Sequence, residues 1–164
     1  MGHSATAPPL LAAGGAASPA DGITSRARLS GGLSSVPTAR AFTTAFIRRT
    51  ALIGWPRVGD LLSCVSEMVS NALFHSRSGQ QGHFIVVHLQ IESGMLTATV
   101  LDEGEPDAPL PPRLVDDTGF GLMLISALCD DYSVTSTPSG RRSSCRFQLD
   151  SSPATTSASG YPPC

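Results

Sequence analysis

Apolar residues recur at helical spacing in two stretches. Val36, Ala39, Phe42 and Phe46 form a narrow stripe, and Val58, Leu61, Leu62, Val65, Met68, Val69, Ala72 and Leu73 form a wide one. The first helix is expected to start at Ser35 as its cap, with Pro37 close to the first helical position. There its missing N–H costs nothing, and Gly54 with Pro56 should end the pattern. The second helix should run from near Pro56 to the Ser76–Gly79 region. Residues 84–91 and 95–101 are β-branched and apolar around Glu92, Ser93 and Gly94, which predicts an antiparallel hairpin.

Residues 103–118 carry Pro106, Pro109, Pro111 and Pro112, too many for helix or strand. This long loop has the length of a lid or binding segment. A third helix is expected over 120–129 and a second hairpin over 132–137 and 143–149, turning at Pro138, Ser139 and Gly140. A strand near residues 23–29 has little support from the pattern. The order helix, helix, hairpin, lid, helix, hairpin implies an α+β fold. It should be a two-layer sandwich with helices packed on one face of a mixed, mostly antiparallel sheet.

Composition narrows this to one domain. Residues 1–25 and 151–164 are rich in Ala, Gly, Pro and Ser, a make-up that cannot bury enough apolar surface to offset ordering, so both ends are expected to be disordered. Residues 26–150 remain as the folded unit. The 11 basic residues are all Arg against 13 acidic ones, a net charge of −2. No broad basic field exists to attract nucleic acid or an anionic membrane.

The absence of Lys removes Walker-type phosphate loops, eukaryotic-type protein kinases and Schiff-base enzymes, each of which needs an ammonium. Cys64, Cys129, Cys145 and Cys164 have neither metal-ligand nor disulfide-framework spacing and are expected to be reduced. The apolar run at 10–17 is broken by two glycines and lacks the positive start of a signal peptide. The expected location is cytoplasmic.

Three short motifs carry candidate chemistry. Ser63, Glu67 and Asn71 are four apart and share one face of the second helix, so a carboxylate and an amide project together beside the apolar stripe. Taken alone, they would be a solvated polar face. Asp102 ends an apolar strand and is followed by Gly104, where a flat ligand can approach the backbone; alone, it would be an aspartate opening a turn. Gly119, Phe120, Gly121 and Leu122 lead from the loop into an apolar helix whose N–H groups can face an anion.

In this order, the motifs resemble the Bergerat (GHKL) ATP-binding domain shared by gyrase, histidine kinases and MutL. Glu67-Met68-Val69-Ser70-Asn71-Ala72 looks like its N box, Asp102-Glu103-Gly104 like its adenine-binding strand end, and Gly119-Phe120-Gly121-Leu122 like its second glycine box. The compact form is most similar to the bacterial anti-sigma-factor serine/threonine kinases.

That resemblance implies ATP and Mg²⁺ as cofactors. It makes Asp102 the acceptor for the adenine amino group, Gly104 part of the base site, Asn71 the Mg²⁺ ligand and Glu67 the catalytic base. Gly119, Phe120, Gly121 and Leu122 would lie around the phosphates, and Ser144 on the closing strand would help hold adenine. The implied partners are a sigma factor and a small antagonist protein whose serine or threonine is phosphorylated, with a homodimer as the assembly. A departure stands beside the match. Gly104-Glu105-Pro106 leaves the first glycine box incomplete, and Asp107, Asp116 and Asp117 make the lid acidic apart from Arg113. A slow or non-catalytic ATP-binding module that sequesters a regulator is therefore the alternative.

Overall fold

The computed structural model describes residues 22–105 and 120–149. Residues 1–21 and 151–164 of the terminal segments expected to be disordered, most of the proline-rich loop and Gly119 lie outside the described residues, whereas residues 23–25, at the inner edge of the N-terminal segment, belong to a strand. In chain order the elements are β1 (Ile23–Ser30), α1 (Ser35–Arg49), α2 (Val58–His75), β2 (Phe84–Glu92), β3 (Met95–Asp102), α3 (Phe120–Leu128), β4 (Asp131–Thr137) and β5 (Gly140–Gln148). The strands form one sheet in the order β1-β2-β3-β5-β4. All four pairings are antiparallel, so the sheet is not mixed. The weakly supported first strand is real: β1 pairs along its whole length with β2, from Ile23 opposite Ile91 to Ser30 opposite Phe84.

Period-two alternation decides which face is covered. Ile85, Val87 and Leu89 on β2, Leu96, Ala98 and Val100 on β3, and Cys145 and Phe147 on β5 are all within 1% of full burial. They pack with Leu61, Cys64, Val65, Met68, Val69 and Ala72 of α2 and Ala39, Phe46 and Ile47 of α1 in one core. Their neighbours in sequence form the uncovered face, a shallow polar basin that includes Arg26, His88, Thr99, Arg142, Ser144 and Arg146.

Both ends of α1 differ from expectation, and β5 begins at Gly140, three residues earlier than expected. Ser35 is the first helical residue rather than the cap, which is Ser34; the Ser35 hydroxyl donates to the Ser30 carbonyl and ties α1 to the end of β1. Helix α1 stops at Arg49, before Gly54, because Ala51 adopts a left-handed conformation (φ 58°) that cannot continue a helix. The β2–β3 turn is tight, with Ser93 (φ 51°) and Gly94 (φ 74°) both left-handed, the geometry that matches strand twist in two-residue hairpins.

Candidate functional site

Helix α2 supplies the first part of the site. Ser63, Glu67 and Asn71 are half-buried along the edge of its apolar stripe, so the shared face expected from their spacing is present. Among the described residues no hydrogen bond or ion pair engages the side chain of Glu67 or Asn71. The start of α3 lies directly against them. A Cβ added at Gly121 would be 2.7 Å from Glu67 Oε2 and 3.9 Å from Asn71 Oδ1. Glycine at 121 therefore leaves room for the Glu67 carboxylate, with the Asn71 amide oxygen close by, beside a helix N-terminus where partial positive charge favours anions. Phe120 and Leu122 flank it and are exposed, at 73% and 48%.

The second part is the end of β3. Asp102 continues the inward row of Leu96, Ala98 and Val100, so it faces the helix layer, and it is buried. Its Oδ1 accepts from the Gly104 N–H at 2.8 Å, a local turn, and its Oδ2 accepts from Arg141 Nε at 3.1 Å. Gly104 is required by its conformation, φ +78°, and by the closeness of Gly140, whose Cα would lie 3.2 Å from an added Cβ.

Behind this turn the segment after α2 acts as a brace. Arg77 donates from its backbone N to the Gly104 carbonyl at 2.9 Å and from its guanidinium to the Glu103 carbonyl. The Ser78 hydroxyl accepts from the Glu103 N–H at 2.9 Å. The Glu103 carboxylate accepts from the Phe84 N–H at 2.9 Å and lies 2.6 Å from His83 Nδ1. The bond to His83 above all, helped by the Phe84 N–H and Arg77, holds its pKa below the ordinary carboxylate value.

Glu67, Asn71, Asp102, Gly104 and Gly121 thus share the helix side of the sheet, but Ser144 does not. It lies on the uncovered face, where its hydroxyl bonds Thr99 Oγ1 at 3.0 Å. The strand alternates, and with Cys145 and Phe147 pointing inward it is Ser143 that shares their face and reaches the Tyr132 hydroxyl. Reading Cys145 and Phe147 as the buried positions would have selected Ser143 from the sequence. Arg141 and the brace were also missed. Arg141 becomes visible only through the register that sets it opposite Asp102, and the brace joins residues 19 to 27 apart in sequence that no periodicity connects.

The sequence pattern of the histidine kinase-like ATPase domain matches residues 29–146. The chain belongs to this family. The Bergerat-type resemblance read from the three motifs is borne out at that level. Among curated proteins the chain is similar to the anti-sigma F factor of Halalkalibacterium halodurans, 30% identical over 89 residues, which is 48% of this chain and 60% of that protein. The chain thus spans less than two thirds of this relative's length.

Among solved structures it resembles the RsbU and RsbW domains of a Mycobacterium tuberculosis protein. That match has a TM-score of 0.58 and 22% identity, and covers 77% of this chain and 32% of the other. This second likeness concerns the fold. No described helix is long and apolar enough to cross a membrane.

Proposed function

We propose that this histidine kinase-like ATPase domain binds Mg-ATP and acts as an anti-sigma regulator, phosphorylating a serine or threonine of a small antagonist protein. The observation that carries the reading is the placement of Glu67 and Asn71, without protein partners among the described residues, against the glycine that opens α3. A carboxylate and an amide oxygen are hard donors of the kind Mg²⁺ prefers. Asn71 would hold that ion, which supplies charge compensation for the phosphates. Asp102 would accept from the adenine amino group while Gly104 leaves space for the base. Glu67, one helical turn before Asn71, would orient the attacking hydroxyl and take its proton. Gly121, with Gly119, Phe120 and Leu122, would lie along the phosphates. The name of the Halalkalibacterium halodurans relative supports a sigma factor as partner.

The test is incubation with labelled ATP and a candidate antagonist. Wild-type protein should label the antagonist and Glu67→Ala should not; equal labelling would remove Glu67 from the mechanism. A second reading, a module that captures a partner with ATP bound but little chemistry, is favoured by Gly104-Glu105-Pro106 in place of a full glycine box. It predicts partner capture that survives Glu67→Ala. Both readings require nucleotide, and a ligand at 100 times its Kd stabilises by about 2.7 kcal/mol. An unchanged melting temperature in millimolar Mg-ATP would sink both.

A further inference from the structure

The carboxylate assigned above to the base is already engaged. The Asp102 side chain is only 3% exposed, and both oxygens are in use, one by the Gly104 N–H and the other by Arg141. The second contact is built into the sheet. Asp102 and Arg141 are cross-strand partners in the β3–β5 register, and the neighbouring backbone is so close that a Cβ at Gly140 would stand 1.8 Å from the Asp102 carbonyl oxygen.

An adenine amino group needs from Asp102 the kind of N–H···O bond that Arg141 Nε–H now makes. Of the two present donors, the Gly104 N–H is fixed, because it belongs to a turn whose carbonyl is held by Arg77. Arg141 sits on a long, flexible side chain that is 31% exposed, so it is the donor that can yield. We infer that Arg141 is a specificity-determining residue that competes with the purine amino group for Asp102. This rests on the reading of Asp102 as the base acceptor.

Two consequences follow. Binding of ATP exchanges one hydrogen bond to Asp102 for another, so the net gain from the amino group is small. Discrimination is blunted as well. A site built to hydrogen-bond a ligand group rejects an analogue lacking it because the protein group is left unpaired in a buried place. Here an analogue without the amino group leaves Asp102 paired with Arg141, and that penalty disappears.

The test measures Kd of the full chain for Mg-ATP and for the Mg-triphosphate of purine riboside, which lacks the 6-amino group. Wild type, Arg141→Ala, Arg141→Lys and Asp102→Asn are compared. In wild type the two ligands should differ by less than about fivefold, the scale of a partly exposed ion pair. Arg141→Ala should bind ATP about fivefold tighter and widen the ratio between the ligands by at least that factor. Arg141→Lys keeps a cation for folding but lacks the Nε–H, and should move both quantities in the same direction by less.

If Arg141→Ala weakens ATP binding or leaves the ratio unchanged while Asp102→Asn abolishes it, the competition is refuted and the adenine assignment survives. If every variant, including Asp102→Asn, binds the two ligands equally, the adenine assignment itself falls and the competition with it.

Discussion

Replacing Gly121 with Ala separates the two reasons a glycine could stand at the start of α3. It is helical rather than left-handed, so Ala meets no backbone strain there. Ala also favours the helix by up to about 1 kcal/mol through a smaller loss of chain entropy. Against this, the new methyl carbon would lie 2.7 Å from Glu67 Oε2, and ordinary contact begins near 3.4 Å, so the carboxylate must retreat by about 0.7 Å. The obstacle is the far end of a flexible side chain. Forcing it off its rotamer costs about 0.5–1.5 kcal/mol.

The two terms nearly cancel, and urea unfolding should place Gly121→Ala within about 1 kcal/mol of wild type. If Glu67 is the base proposed above, ATP turnover should respond differently. A displacement approaching 1 Å at a reacting group can cost on the order of 100-fold. Gly121→Ala should therefore fall towards the residual rate of Glu67→Ala, and the double variant should be no slower than Glu67→Ala alone. Wild-type turnover in Gly121→Ala, alongside its loss in Glu67→Ala, would show that the glycine does not set the carboxylate's position. A drop of several kcal/mol in stability would show that α3 cannot accommodate the methyl group at all.

Other expectations can be checked on the isolated protein. Arg57 donates to both Asp130 oxygens at 2.7 and 2.9 Å and to the Leu128 carbonyl at 2.7 Å, with its guanidinium 4.9 Å from the Phe147 ring centre. Arg57→Ala should lower the urea-unfolding free energy by about 1–2 kcal/mol, and a loss below about 0.5 kcal/mol would mark these bonds as solvent-equivalent. Glu103 is depressed in the folded state, so its contribution is present above its unfolded pKa of about 4.3 and is lost as pH falls through the lower folded value. Stability against pH should therefore fall less steeply on the acid side in Glu103→Gln; parallel curves would contradict the His83 and Phe84 contacts. Cys64 and Cys145 are fully buried free thiols, and Cys145 is pushed up by the neighbouring Cys64 thiol and by burial. Native protein at pH 8 should take iodoacetamide at half-buried Cys129 long before either of them, as read by peptide mass, and equal labelling would mean that the core opens readily.

What the chain's own pattern could and could not reveal follows from how each feature is encoded. The helices and the two hairpins are local, each written in its own periodicity, and α2 shows the gain: spacing alone put Glu67 and Asn71 on one face, where the fold sets them against Gly121. Strand β1 was underestimated because Ile23, Ser25 and Ala27 make a weak apolar row; its pairing comes from the whole length of β2, a long-range partner that no local window contains.

The position of Ser144 on the uncovered face has another origin. A strand has period two, so choosing between adjacent serines is a choice of sheet face, and that choice is settled by the burial of Cys145 and Phe147, which a short motif does not encode. Arg141 is the most instructive omission. It immediately follows the turn glycine and looks like a solvated charge, yet a two-residue turn at Pro138-Ser139 and the β3–β5 register together set it opposite Asp102. A residue that engages a candidate ligand group can thus be specified by turn length and register alone, and it becomes legible once the sheet is laid out.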